Sequence, residues 1–159
     1  MNKQYVSVLV ESLEKKLHVL EEIYQLCQKQ AEVLAGEAVD FEEFDRCMDE
    51  KSGHIEALNK LDEGFEMLYN RVGQELKNNK SLYAEQIRRM QEAISGIMDK
   101  SALIQALEER NKRVVEAAFA KERTEISRGK RSLNVAMNYY RNMRGGVNTV
   151  EPQIMDQKK

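Results

Sequence analysis

An apolar seam between Val6 and Leu34 constrains the fold more than any other feature of the sequence. Apolar side chains recur there at alternating steps of four and three residues, which is typical of coiled-coil packing. The seam consists of Val6, Val10, Leu13, Leu17, Leu20, Tyr24, Cys27, Ala31 and Leu34. A helix of this length reaches about 45 Å, so an element of similar length must cover it.

Residues 41–69 carry a second stripe that matches the first when the chain reverses direction. Facing residues then share one midpoint in the chain, as in the pairs Leu34 with Phe41, Leu17 with Leu58, and Val6 with Tyr69. Lys51 and Asp62 interrupt the apolar pattern, and we expect their charged groups to extend to the edge of the seam. The two stripes predict a long antiparallel helical hairpin.

Turn signals define the ends of these helices. Gly36 is suited to a left-handed cap after the first helix, and Asp40, with Glu43 three residues later, predicts the N-cap of the second. The polar run 77–81 predicts the second connection. Gly53, Gly64 and Gly73 fall within the second helix, where we expect bending but no break.

The third helix is predicted from Leu82 to about residue 128. It would span about 70 Å, whereas the hairpin offers about 50 to 55 Å of surface. The chain beyond Ala118 must therefore fold back or project, and residues 99–101 and Gly129 are the expected points of a kink or break. The fold class is all-α, an antiparallel three-helix bundle in which a long third helix carries a C-terminal extension.

We predict one helical domain over residues 1–144, with an interaction segment at about 111–144. Residues 145–159 contain too few apolar side chains to form a core and are expected to be disordered. Neither a membrane span nor a signal peptide is recognisable, which favours the cytoplasm.

Catalysis, cofactors and metals find little support in the sequence. The two cysteines, Cys27 and Cys47, fall in helical stripes and are interpreted as small core residues. His18 and His54 lie outside the seam and are expected at exposed or edge positions. No metal-ligand spacing and no phosphate-binding glycine loop occurs. We predict no enzyme activity, no cofactor and no metal site.

The charge distribution is uneven. Residues 1–80 carry 17 acidic and 10 basic side chains, whereas residues 110–144 carry 3 acidic and 10 basic ones. The basic segment could contact phosphates, and Tyr139 and Tyr140 could stack on bases. However, the chain as a whole is not basic, and the acidic hairpin offers an internal counterpart. Nucleic-acid binding and attachment to a membrane surface are both disfavoured.

A surface for another protein's helix fits the C-terminal part better. Its apolar residues include small side chains and a methionine, which suit an adaptable helix-binding surface. The predicted partner-binding residues are Asn111, Val114, Val115, Ala118, Phe119, Ile126, Leu133, Met137, Tyr139 and Tyr140. Residues 114–119 could instead be the last turns packed on the hairpin, so residues 133–140 are the better candidates for a free surface. Self-association as a coiled-coil scaffold, for example a homodimer, is the alternative.

Several segments of the sequence follow a shared pattern, namely Leu20-Glu21-Glu22-Ile23-Tyr24, the turn ending at Asp40, Glu50-Lys51, Leu58, Leu61 to Arg71, and Leu107-Glu108-Glu109-Arg110-Asn111. Over about residues 5–125, these segments resemble the FlgN/FliT-like flagellar type III export chaperones. The ending Ile154-Met155-Asp156-Gln157-Lys158-Lys159 is also similar to endings in clostridial members.

The resemblance implies a cytosolic chaperone for the C-terminal helices of hook-associated or filament-cap proteins. Such a chaperone keeps its client from assembling early and delivers it to the export apparatus. In the family, the client is held largely by the C-terminal helical part, which corresponds here to the segment after Asn111. A family tyrosine near that region is linked with the export gate, and the resemblance makes Tyr139 and Tyr140 the alternative candidates for its counterpart. The basic charge after Arg110 departs from the family pattern.

Overall fold

A computed structural model describes residues 2–122, 136 and 138–140. The chain forms three long helices, α1 (Asn2–Ala35), α2 (Phe41–Asn78) and α3 (Ala84–Glu122). The described residues contain no strand, so the all-α class predicted from the apolar periodicity is confirmed.

Helix α1 lies at the centre of the bundle. Both α2 and α3 pack along it, whereas the backbones of α2 and α3 scarcely approach each other. The residues of α1 that support this arrangement are almost fully buried, and they include Val6, Leu9, Val10, Leu20, Ile23 and Cys27. The first helix has its stripe covered from two sides, which explains why the seam is so regular.

The hairpin has the antiparallel register that the matched stripes predict. Lys29 forms an ion pair with Glu43 at 3.1 Å near the turn, and Lys16 forms one with Asp62 at 2.7 Å further along. In both pairs, the two residues lie on opposite sides of the turn and at similar distances from it along the chain, as the matched stripes require. Asp62 is held by Lys16 at the edge of the seam, with its side chain 18% exposed.

Of the two helix caps predicted around the first turn, the structure contains the one at Asp40 but not the one at Gly36. Asp40 is the N-cap of α2, and its side chain accepts hydrogen bonds from the backbone N–H of Glu42 and Glu43 at 3.1 and 3.2 Å. The left-handed cap predicted at Gly36 is wrong, because no described residue has a positive φ. Helix α1 ends at Ala35 with a bent link whose Gly36 N–H donates to the Val33 carbonyl at 3.4 Å.

Helix α3 runs without interruption through residues 99–101, so the predicted break at these residues is absent. Ser101 is buried, and tertiary contacts hold this polar stretch in the helix. Gly96 lies against α1, where an added Cβ would come within 2.9 Å of Leu17 Cδ2. The glycines of α2 likewise do not break that helix.

The chain beyond α3 returns to the bundle where it is described. Ala136 and Tyr140 are buried against Leu34, Phe44 and Met48 at the α1–α2 turn. The sequence predicts that the C-terminal extension either folds back or projects, and at these residues it folds back onto the bundle. The predicted tail, residues 145–159, and the predicted kink at Gly129 lie outside the described residues.

Candidate functional site

A small apolar cluster at the α1–α2 turn is the meeting point of all three helices and the C-terminal residues. This turn-end cluster consists of Leu34, Phe44, Met48, Val115, Ala136 and Tyr140, all of them buried. It is separate from the long apolar core that runs along the rest of the bundle. The half-buried side chains of Phe41, Ala118 and Phe119 pack at its margin.

A buried ion pair between Lys51 and Glu108 lies beside this cluster. Lys51 Nζ is 2.8 Å from both carboxylate oxygens of Glu108, and the two side chains are 0% and 7% exposed. The same ammonium group is 3.7 Å from Cys27 Sγ on α1. Since the backbones of α2 and α3 scarcely approach each other, this pair is a direct side-chain link between them across α1.

Two adjacent tyrosines cover the ion pair. The Tyr139 ring centroid is 4.6 Å from Lys51 Nζ, and its hydroxyl donates a hydrogen bond of 3.3 Å to Glu108 Oε2. The Tyr140 ring lies 5.9 Å from the same ammonium group and packs edge-on against Tyr139. Burial and, secondarily, the nearby Glu108 carboxylate raise the pKa of both phenols above the usual range.

Buried amides complete the polar part of the site. Asn111 donates a hydrogen bond of 3.1 Å to the Cys27 carbonyl, and Gln30 donates one of 3.2 Å to the Phe44 carbonyl. Burial raises the pKa of the Cys27 thiol to about 12, although the Lys51 ammonium opposes that rise. The thiol is therefore protonated at neutral pH and is not a ready nucleophile.

The predicted partner-binding residues do not share one environment. Val115, Asn111 and Tyr140 are buried within the chain, Val114 is 37% exposed, and Ala118, Phe119 and Tyr139 are half-buried. The other three predicted residues, Ile126, Leu133 and Met137, lie outside the described residues. The expectation that Tyr140 belongs to a free surface is wrong for this structure, because Tyr140 packs in the turn-end cluster with 8% exposure.

The ion pair itself is a feature that the sequence interpretation missed. The expectation that Lys51 extends to the edge of the seam is wrong, because its side chain is 0% exposed. The apolar pattern of the third helix gives Glu108 no core position, since Leu107 continues that pattern. A usable signal existed, since Ile104, Glu108, Asn111 and Val115 recur at steps of four, three and four residues. Two opposite charges at core positions of different helices indicate a buried pair.

Other expected features can be located at the bundle surface. His18 is 73% exposed and lies 3.2 Å from Glu22, and His54 lies 3.8 Å from the other oxygen of Glu22. In the described part of the chain, no group of three acidic, histidine or cysteine side chains could hold a metal ion.

The acidic hairpin forms ion pairs with α3, Glu14 with Arg89 and Glu21 with Lys100. Both basic partners precede the basic segment 110–144 in the sequence. Among the described helices, none is sufficiently long and apolar to cross a membrane.

Comparison with known proteins identifies one family. The family model described as FlgN protein matches residues 1–142. No curated protein and no solved structure matches the chain. The matched range includes all three helices and the described C-terminal residues at the turn-end cluster.

Proposed function

Because the chain belongs to the FlgN family of flagellar export chaperones, we propose that it binds the C-terminal helices of hook-associated or filament-cap proteins in the cytoplasm. Binding would mask apolar helix surface that drives assembly of the client, and the complex would then deliver the client to the export apparatus. The activity consists of binding and release, without catalysis.

The observation that carries this proposal is the turn-end cluster. Two of its members, Ala136 and Tyr140, come from the chain beyond α3. The apolar surface that α1, α2 and α3 form at this end therefore accommodates a further segment of chain. Ala136 and Tyr140 pack against side chains of both α2 and α3, two helices whose backbones scarcely approach each other. Such a surface supports helix-in-groove recognition.

We assign client contact to the exposed edge of this region. Val114 is 37% exposed, and Ala118 and Phe119 are half-buried beside it. Asn111 and Val115 lie beneath this edge and support it from within. We propose that Ile126, Leu133 and Met137 complete this surface, while Tyr139 and Tyr140, which pack on the bundle, hold the C-terminal segment in place.

Charge also contributes to the proposed recognition. Arg110, Arg113 and Lys121 are exposed on α3 on both sides of Val114 in sequence. An amphipathic client helix with acidic residues beside its apolar stripe would complement this edge. The acidic residues would increase the association rate and make it sensitive to salt.

A fluorescence anisotropy titration tests the proposal with a labelled peptide from the C-terminus of a hook-associated protein. We expect saturable binding and a loss of at least tenfold in affinity for Val114→Glu, because the charge would be placed in the apolar contact. Val8→Glu is the matched control, since Val8 is 50% exposed near the opposite end of the bundle. Both variants should unfold like the parent chain, since both side chains are exposed.

Two results would contradict this assignment. Equal affinities of Val114→Glu and Val8→Glu would remove α3 from the client surface, and the absence of saturable binding to such peptides would remove the client class. Sedimentation over a range of concentrations separates the alternative function. A chaperone remains a small defined species, whereas a self-associating scaffold grows with concentration.

A further inference from the structure

Tyr139 and Tyr140 are adjacent and similarly enclosed, but their hydroxyl groups have different surroundings. The Tyr139 hydroxyl donates to Glu108 Oε2 at 3.3 Å. The Tyr140 hydroxyl is buried and has no hydrogen-bond partner among the described residues. A buried phenol without a partner is unfavourable, so the site distinguishes these two positions.

The acceptor that makes this distinction is held in place by groups other than the tyrosines. Lys51 contacts both oxygens of Glu108 at 2.8 Å, and Asn111, one turn along α3, is anchored to the Cys27 carbonyl. An ionised carboxylate accepts about four hydrogen bonds, so Glu108 retains capacity after binding Lys51. No other acidic residue contacts Lys51 in the described part of the chain.

We propose that the Lys51–Glu108 pair is a recognition site for a phenol hydroxyl, which selects Tyr139 and sets the register in which the C-terminal segment docks between α2 and α3. Apolar packing alone would tolerate a shifted segment, because a one-residue shift replaces one tyrosine by the other. A fixed buried acceptor does not tolerate it, since buried polar groups can specify register where apolar contacts cannot.

The consequence concerns presentation of the C-terminal segment. Once Tyr139 is fixed on Glu108, the orientation of its neighbours follows, and Asn138 is exposed in this register. The ion pair thus determines which side chains of the segment face outwards. Selection of the register by the ion pair is tested without any client protein. A negative result would therefore leave the proposed chaperone function in place, and a failure of client binding would leave the register proposal in place.

Cys27 provides a built-in reporter for docking of the segment. Its thiol is 0% exposed and contacts Lys51, which the two tyrosine rings cover. Labelling by a small thiol reagent under native conditions follows the fraction of molecules in which this cover has opened. Cys47 is also buried in the hairpin but is not a member of the turn-end cluster, so its labelling reports wider unfolding.

The decisive comparison is between Tyr139→Phe and Tyr140→Phe in the full chain, because each removes a single oxygen. Tyr139→Phe should accelerate Cys27 labelling about tenfold, as expected for loss of a hydrogen bond to a charged group. Tyr140→Phe should leave the rate unchanged or reduce it, since it removes an unpaired buried hydroxyl. The Cys47 rate should change in neither variant.

Equal effects of the two phenylalanine variants would overturn the proposal, as would a tenfold effect of Tyr140→Phe. The double variant Lys51→Met/Glu108→Leu adds a second criterion. In that background, Tyr139→Phe should have no effect on Cys27 labelling, and a persistent tenfold effect would show that the hydroxyl acts through other groups. The two single variants decide the question in the native background even where the double variant does not fold.

Discussion

The two ends of the bundle are stabilised in different ways. At the end where α1 begins, the core is apolar, with Val6, Leu9, Val72, Leu76, Tyr83 and Met90 among its buried residues. At the other end, a smaller apolar cluster is accompanied by the buried ion pair of Lys51 and Glu108 and by the buried amides of Gln30 and Asn111.

These two kinds of packing suit the two ends of the bundle to different roles. Apolar packing is non-directional and contributes stability in proportion to the area it buries. A buried ion pair contributes little net stability but is costly to break. The α1 N-terminal end is therefore a fixed support, whereas the turn end is a place where a docked segment must satisfy specific polar groups.

Removing one charge of the buried pair should give the largest effect. Lys51→Ala leaves the Glu108 carboxylate buried without its cation, and we expect the free energy of unfolding to fall by about 3–5 kcal/mol. Urea denaturation monitored by circular dichroism measures this change in the free energy of unfolding. The double variant Lys51→Met/Glu108→Leu should recover most of the loss, because it removes both charges.

Lys16→Ala is the matched control at the edge of the hairpin. Its partner Asp62 retains 18% exposure, compared with 7% for Glu108, so the remaining carboxylate is less enclosed than Glu108 would be, and a smaller loss of about 1–3 kcal/mol is expected. If both lysine variants lost the same amount, the contrast between a polar turn end and an apolar remainder would not hold.

The sequence predicts the parts of the fold that depend on local pattern. The matched stripes of α1 and α2 and the cap at Asp40 follow from periodicity and turn chemistry. The ion pair is harder to predict because Lys51 and Glu108 are 57 residues apart, and a lysine in an apolar stripe is ordinarily placed at an edge. The continuity of α3 through Ser101 also depends on contacts with α1 that local propensity does not contain.

Alkaline pH should act on the turn end through Cys27. Its thiol pKa is about 12 in the folded chain and 9.0 ordinarily, so the unfolded state loses this proton first as the pH rises. Stability is fully present below pH 9 and falls between pH 9 and 12, by about 1.4 kcal/mol at pH 10. Urea denaturation at a series of pH values measures the slope.

Cys27→Ala should reduce this slope, whereas Cys47→Ala should leave the Cys27 part of it in place. Tyr139 and Tyr140 add to the loss at higher pH, because burial raises their pKa as well. An unchanged slope in Cys27→Ala would mean that the thiol is hydrated in the folded chain and that the turn end is more open than its 0% exposure indicates.

The smallest expected effect concerns two glycines that differ in their surroundings. Gly53 lies within α2 with nothing within 4 Å of an added Cβ, whereas Gly96 on α3 faces Leu17 at 2.9 Å. Gly53→Ala should stabilise the chain by up to about 1 kcal/mol, because alanine is the better helix former. Gly96→Ala should gain less, since Leu17 must move from a packed position between α1 and α3. Thermal unfolding of the two variants under identical conditions measures the difference. An equal gain would indicate that Leu17 has room to move away from the added methyl group without loss of packing between α1 and α3.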